Sequence, residues 1–142
     1  MKKILIVEAK YYEEILNELS QGAVEAIENA GFEAEHLYVP GAFEIPAAIN
    51  FVAQQSGGYA GFVALGFVIR GETTHYDEVC GESARGLMSL TLEKSLCIGY
   101  GIVTAENRKQ AMVRAARDKK NKGAEAAKAC IDMIGIKLKY NS

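Results

Sequence analysis

The sequence has 142 residues, of which 49% are hydrophobic, and its formal net charge is −2. These values predict one globular domain over residues 1–142 and argue against a nucleic-acid-binding protein. No apolar stretch reaches the roughly 20 residues of a membrane span, and the first residues run into an aliphatic segment without a signal-peptide pattern. We therefore expect a cytoplasmic protein that binds neither nucleic acid nor membranes.

The three cysteines are Cys80, Cys97 and Cys130. Their odd number, their wide spacing and the lack of a Cys-x-x-Cys pair indicate reduced core thiols rather than a disulfide framework or a zinc site.

Apolar runs alternate with helical stripes along the first half of the chain. Residues 3–7 predict a buried strand, and residues 13–30 predict a helix that ends at Gly31. A second strand is predicted over 32–39, followed by a turn over 40–46 that leads into a short helix.

The same alternation continues in the second half. The run over 62–69 predicts a central strand covered on both faces, and a helix is expected to start at His75. A fourth strand is predicted over 96–104, a short helix over 107–116 and a last helix over 121–134. Together these elements predict a three-layer α/β sandwich with a four-stranded parallel sheet, a flavodoxin-like order 2-1-3-4 and helices on both faces. A sheet this small leaves apolar faces poorly covered, which favours an oligomer.

A polar cluster follows the central strand directly. Arg70 ends the strand, and Thr73 or Thr74 can cap the helix that begins at His75. A helix N-terminus at the carboxyl end of a parallel strand favours an anion, and a histidine beside it can transfer protons. His75 can equally be a structural or solvent-exposed residue, and His36, in the second strand, lacks such neighbours.

Other candidates have a plain structural interpretation beside a functional one. Tyr11 and Tyr12 follow the end of the first strand, where an aromatic face can stack on a planar ligand or simply pack. Glu44 can be a first-turn helix residue, and from pattern alone Arg114 and Lys122 are ordinary solvated charges.

Three segments resemble one family in order and spacing. They are VPGAFEIP at 39–46, ALGFVIRGETTHYDEV at 64–79, and GIVTAEN at 101–107 followed by Gln110, Ala111 and Arg114. Over about residues 3–134 the chain resembles the 6,7-dimethyl-8-ribityllumazine synthases of riboflavin biosynthesis. The resemblance implies a transferase that condenses 5-amino-6-(D-ribitylamino)uracil with 3,4-dihydroxy-2-butanone 4-phosphate, releasing phosphate and water, with no metal and no cofactor.

The resemblance also implies a role for each matching residue. His75 would transfer protons, the backbone N–H groups of Glu72 and Thr73 would hold the phosphate, and Tyr11 would stack on the pyrimidine ring. The pyrimidine and ribityl pocket would be lined by Phe43, Glu44, Val68 and Ile69. An adjacent subunit of a homopentamer, or of a multiple of it, would supply Tyr100, Arg114 and Lys122.

Two departures concern the substrate's polar tail. Tyr12 stands where the family commonly has asparagine, and Asp118 stands where a lysine is common. These departures keep a non-catalytic flavin- or lumazine-binding shell protein open, and a pentameric riboflavin synthase is a further alternative. A flavodoxin or receiver module is disfavoured because residues 8–13 lack a phosphate loop and the central strand ends in Arg70 rather than aspartate.

Overall fold

The computed structural model describes residues 2–10, 12–55, 58–70 and 75–140. Strands and helices alternate along these residues, in the order β1 (Lys3–Ala9), α1 (Glu13–Asn29), β2 (Glu33–Val39), a 3₁₀ turn (Ala42–Glu44), α2 (Ile45–Ala53), β3 (Gly61–Ile69), α3 (His75–Lys94), β4 (Ile98–Ala105), α4 (Arg108–Ala115) and α5 (Lys122–Tyr140).

The four strands form one parallel sheet in the order β2-β1-β3-β4, which confirms the predicted topology. Alternate residues of β1 enter two different cores: Ile4 and Ile6 pack with α1, α4 and α5, whereas Leu5 and Val7 pack with α2 and α3. Helices therefore cover both faces of the sheet. This explains why the strands consist largely of consecutive apolar residues.

The predicted helix ends are mostly confirmed. Gly31 follows α1 with φ +88°, a left-handed conformation that glycine adopts without a Cβ clash. Asn107 caps α4 by accepting a hydrogen bond from the Gln110 backbone N–H at 2.8 Å. The predicted end of the last helix at residue 134 is wrong, because α5 continues to Tyr140 with exposed apolar side chains that do not extend the inward stripe.

The cysteines are free thiols, as the sequence indicates. Cys130 is fully buried and its Sγ lies 3.4 Å from the carbonyl oxygen of Cys97. Burial raises the pKa of Cys130 to about 12, so this side chain stays a neutral core thiol. Within the described ranges, no helix is long and apolar enough to cross a membrane.

Candidate active site

A cavity of about 510 Å³ opens at the carboxyl end of β3, between the 3₁₀ turn and the start of α3. We call it the β3 cavity. It contains four of the residues predicted to bind substrate, Phe43, Glu44, Val68 and Ile69. The remaining lining residues are Ala9, Tyr12, Gly41, Ala42, Phe67, Glu78 and Val79.

The walls of the β3 cavity suit a planar ligand with polar edges. The Phe43 ring is 54% exposed and offers a free aromatic face, while the carboxylates of Glu44 and Glu78 lie at the rim. The β1–β3 ladder ends at the Glu8–Leu65 pair, whereas the β3–β4 ladder continues to the end of β3. The main chain beyond Leu65 therefore faces the cavity on its β1 side, where it can bond a ligand.

Tyr12 forms part of the cavity wall at the start of α1. It holds a left-handed backbone conformation (φ +50°), and its ring centroid lies 5.2 Å from that of Phe67. The Arg108 guanidinium lies 5.6 Å from the Tyr12 ring centroid and 3.5 Å from the Glu14 carboxylate. The tyrosine at this position is thus a packed aromatic wall, which asparagine would not provide.

Several predicted residues lie outside the described residues. These are Tyr11, Glu72 and Thr73, together with the predicted cap at Thr73 or Thr74. His75 begins α3, as predicted, but the structure describes its backbone alone.

Arg70 anchors the end of β3 beside this region. Its Nε lies 3.3 Å from Glu106, and its guanidinium lies 4.3 Å from the Tyr76 ring centroid. Arg70 thereby links β3 to α3 and to the segment after β4.

A second cavity, of about 260 Å³, lies along β4, and we call it the β4 cavity. It contains the other three predicted residues, Tyr100, Arg114 and Lys122, together with Glu125 and the strand residues 101–104. Arg114 Nη1 donates to the Gln110 carbonyl at 3.3 Å, and Lys122 Nζ lies 3.1 Å from Glu125. Two cations against one carboxylate make this cavity suited to an anion.

Tyr100 adds an uncharged donor to the β4 cavity. Its side chain is half-buried beside α3, and this burial is the main cause that raises the pKa of its phenol. The phenol therefore keeps its proton at neutral pH and can donate a hydrogen bond to an anion.

The two cavities are separate within one chain. No described residue lines both, and the β4 cavity lies along the edge strand of the sheet. The seven predicted ligand contacts whose side chains the structure describes thus fall into two groups within one chain.

A hydrogen bond between the side chains of two strands was not predicted. Glu8 is fully buried in β1, and its Oε2 lies 2.7 Å from Nδ1 of His36 in β2. The His36 ring also stacks on the Tyr38 ring, with 6.3 Å between the centroids. His36 therefore contacts one acidic and one aromatic side chain. The pair belongs to neither cavity. Among the described residues, no group of three or more His, Cys, Asp or Glu side chains could hold a metal ion.

Comparisons with known proteins agree on one family. A family model for 6,7-dimethyl-8-ribityllumazine synthase matches residues 1–137. Proteins of that name from Zymomonas mobilis and Novosphingobium aromaticivorans are 57% and 50% identical, each over 99% of this chain and 100% of the relative. The protein of that name from Bartonella tribocorum is 51% identical over 96% of this chain and 91% of its own length. A flavodoxin from Pseudomonas aeruginosa superposes with a TM-score of 0.51 over 91% of this chain and 99% of its own, at 16% identity, and this likeness concerns the fold alone.

Proposed function

Since the chain belongs to the 6,7-dimethyl-8-ribityllumazine synthase family, we propose that its β3 cavity binds the pyrimidine substrate and its β4 cavity the phosphate of the second substrate. The reaction condenses 5-amino-6-(D-ribitylamino)uracil with 3,4-dihydroxy-2-butanone 4-phosphate, and it is the penultimate step of riboflavin biosynthesis. The observation that carries the proposal is the division of the predicted ligand residues between the two cavities.

The pyrimidine half of the site is the β3 cavity. Phe43 supplies an aromatic face, and Tyr11 is the proposed stacking partner on the other side of the ring. Glu44 and the main chain of Val68 and Ile69 contact the polar edges of the pyrimidine and the ribityl chain. The opening of the β3 edge beyond Leu65 supports these main-chain contacts.

The phosphate half of the site is the β4 cavity of a neighbouring chain. Arg114 offers a planar pair of donors that matches phosphate oxygens, while Lys122 and Tyr100 add a charge and a neutral donor. We propose that these groups share the phosphate with the backbone N–H groups of Glu72 and Thr73, which precede α3 in the sequence of the first chain.

His75 is the proposed proton-transfer residue. Schiff-base formation, phosphate elimination and ring closure each move a proton, and an imidazole that titrates near neutral pH can both donate and accept one. The start of α3 at His75 supports this position next to the bound phosphate.

The shared site requires an oligomer, which we propose to be a homopentamer or a multiple of it. Exposed large apolar side chains support association: Phe51, Met88 and Leu92 on α2 and α3, and Ile136, Leu138 and Tyr140 on α5. Exposed apolar surfaces such as these favour contact with another chain, because that contact removes them from water.

We propose that each chain is one domain over residues 1–142 and that the enzyme works in the cytoplasm. The free thiols of Cys97 and Cys130 support a reducing compartment.

The experiment that tests the activity is direct. The purified protein is incubated with both substrates, and the absorbance and fluorescence of the lumazine product are followed. We expect the lumazine to form, with one phosphate released per catalytic turnover. A riboflavin synthase would instead consume the lumazine, and a non-catalytic shell protein would bind it without turnover; either result would refute the proposal.

A further inference from the structure

The connection over residues 116–121 joins the two cations of the β4 cavity. Arg114 lies in the last turn of α4, and Lys122 is the first residue of α5. The connection folds on itself, because the backbone N–H groups of Lys119 and Asn121 both donate to the carbonyl of Ala116 at 3.0 Å. A shift of this turn would therefore change the position of Lys122 relative to Arg114.

Arg117 ties this turn to α1. Its guanidinium donates to Glu18 Oε2 at 3.1 Å and to Glu25 Oε1 at 2.9 Å, and its backbone N–H donates to Glu18 Oε1 at 3.1 Å. Glu18 and Glu25 are two helical turns apart, so they lie on the same face of α1. We call these three residues the Arg117 clamp.

The surface of α1 is shaped to receive the turn. Gly22 lies between the two glutamates, and a Cβ at this position would overlap Asn121 Oδ1. On the α5 side, a Cβ on Gly123 would overlap the backbone carbonyl of Leu19. The start of α5 and the turn before it therefore lie in close contact with α1 at these two glycines, beside the Arg117 clamp.

We propose that Arg117 is a positioning residue that holds Arg114 and Lys122 in register to bind the phosphate of the butanone substrate. This inference rests on the proposed phosphate role of the β4 cavity. Arg117 does not line that cavity, and both of its carboxylate partners are on α1. It acts on phosphate through the turn that it anchors.

Electrostatics and exposure separate this role from a general stabilising one. Hydrogen bonds from the backbone and side chain of Arg117 lower the pKa of Glu18, so the pair is charged at neutral pH. The Arg117 side chain is 40% exposed, and ion pairs at this exposure contribute little to stability. Loss of the clamp should therefore leave the fold intact while it displaces the cations.

Three variants test the proposal: Arg117→Ala removes the side-chain bonds of the clamp and keeps the backbone bond to Glu18, Arg117→Lys keeps the positive charge without the planar guanidinium, and Glu25→Gln weakens the bond to α1 at Glu25. The measurements are the inhibition constant of inorganic phosphate, the KM of each substrate and the melting temperature. For Arg117→Ala we expect the phosphate inhibition constant and the KM of the butanone phosphate to rise roughly tenfold, because small misplacements of binding groups are costly. The KM of the pyrimidine should stay unchanged. For Arg117→Lys and Glu25→Gln, the phosphate inhibition constant and the KM of the butanone phosphate should lie between the values of Arg117→Ala and wild type.

The matched control is Arg85→Ala, which breaks the exposed Arg85–Glu82 pair on α3, away from the turn. It should leave the phosphate inhibition constant unchanged. If Arg114→Ala weakens phosphate binding but Arg117→Ala and Glu25→Gln do not, Arg117 does not position the cations, and the β4 cavity remains the phosphate site. If Arg114→Ala does not weaken phosphate binding, the β4 cavity is not a phosphate site. Both the proposed phosphate site and the positioning role of Arg117 are then wrong. An equal rise of both KM values in Arg117→Ala would mark a general loss of structure and would also overturn the positioning role.

Discussion

The β3 and β4 cavities differ in how the chain builds them. The β3 cavity is the larger, about 510 Å³ against about 260 Å³, and its walls are a strand end, a 3₁₀ turn and aromatic rings. The β4 cavity takes its character from Arg114 and Lys122, which lie at the facing ends of two helices. The β3 cavity is thus defined mainly by the shape of its walls, and the β4 cavity mainly by its two positive charges.

This difference agrees with the proposal that the two substrates bind in different cavities. The pyrimidine is planar and has many polar edges, so a rigid strand edge and aromatic walls recognise it best. The phosphate is compact and highly charged, so it needs cations and free N–H groups. Association of two chains would bring these complementary parts together.

The largest effect is expected for Arg114→Ala. It would remove the proposed charge-assisted contact with phosphate, and loss of such a contact costs about 1.5 to 3 kcal/mol. We expect kcat/KM for the butanone phosphate to fall by roughly tenfold to a hundredfold. Binding of the lumazine product, measured by fluorescence titration, should change little because the product carries no phosphate. An equal loss of product binding would show that Arg114 does not serve phosphate alone.

The converse change is Phe43→Ala in the β3 cavity. Loss of the aromatic face should weaken product binding by about 1 to 2 kcal/mol, the sum of lost ring contact and lost buried area. Inhibition by inorganic phosphate should be unaffected. Tyr38→Ala, which removes a similarly exposed ring on β2, is the matched control for loss of surface area. If phosphate inhibition weakens as much as product binding, the two cavities are not separable by ligand.

The smallest effect is expected at the Glu8–His36 pair, which serves neither cavity. His36→Ala would leave the fully buried Glu8 carboxylate without its hydrogen-bond partner. We expect a loss of about 1 kcal/mol in unfolding free energy, at the low end for an orphaned acceptor because water can enter from the exposed side. Urea unfolding measures this, and the KM of both substrates should match wild type. A changed KM would connect the pair to the site after all.

Much of the fold could be predicted because the strands are covered on both faces. Such strands appear as apolar runs, and right-handed crossovers between parallel strands place helices on both faces of the sheet. The extra turns of α5 could not be predicted in this way. Ile136 and Leu138 are exposed, so they do not repeat the inward spacing of Ile134 and the residues before it.

The proposed site could be predicted in two ways. Val68 and Ile69 were predicted as pocket residues from the resemblance to the family, whereas the start of a helix at His75 follows from the local pattern after the central strand. The Glu8–His36 contact and the Arg117 clamp depend instead on register and helix packing across 28 and 99 residues of sequence. No local pattern encodes contacts of that range.

A complementation experiment tests the divided site most directly. His75→Ala should lower turnover by roughly tenfold to a hundredfold, since a general acid-base residue is lost while a substrate amine partly substitutes for it. His75→Ala and Arg114→Ala chains are unfolded together and reassembled, with each variant reassembled alone as the control. About a quarter of the interfaces in a random mixed ring pair an intact His75 with an intact Arg114 of the neighbour. We predict that verified mixed oligomers recover roughly this fraction of wild-type activity. Mixed oligomers that stay no more active than the average of their parents would place both residues in one chain's site and contradict the account.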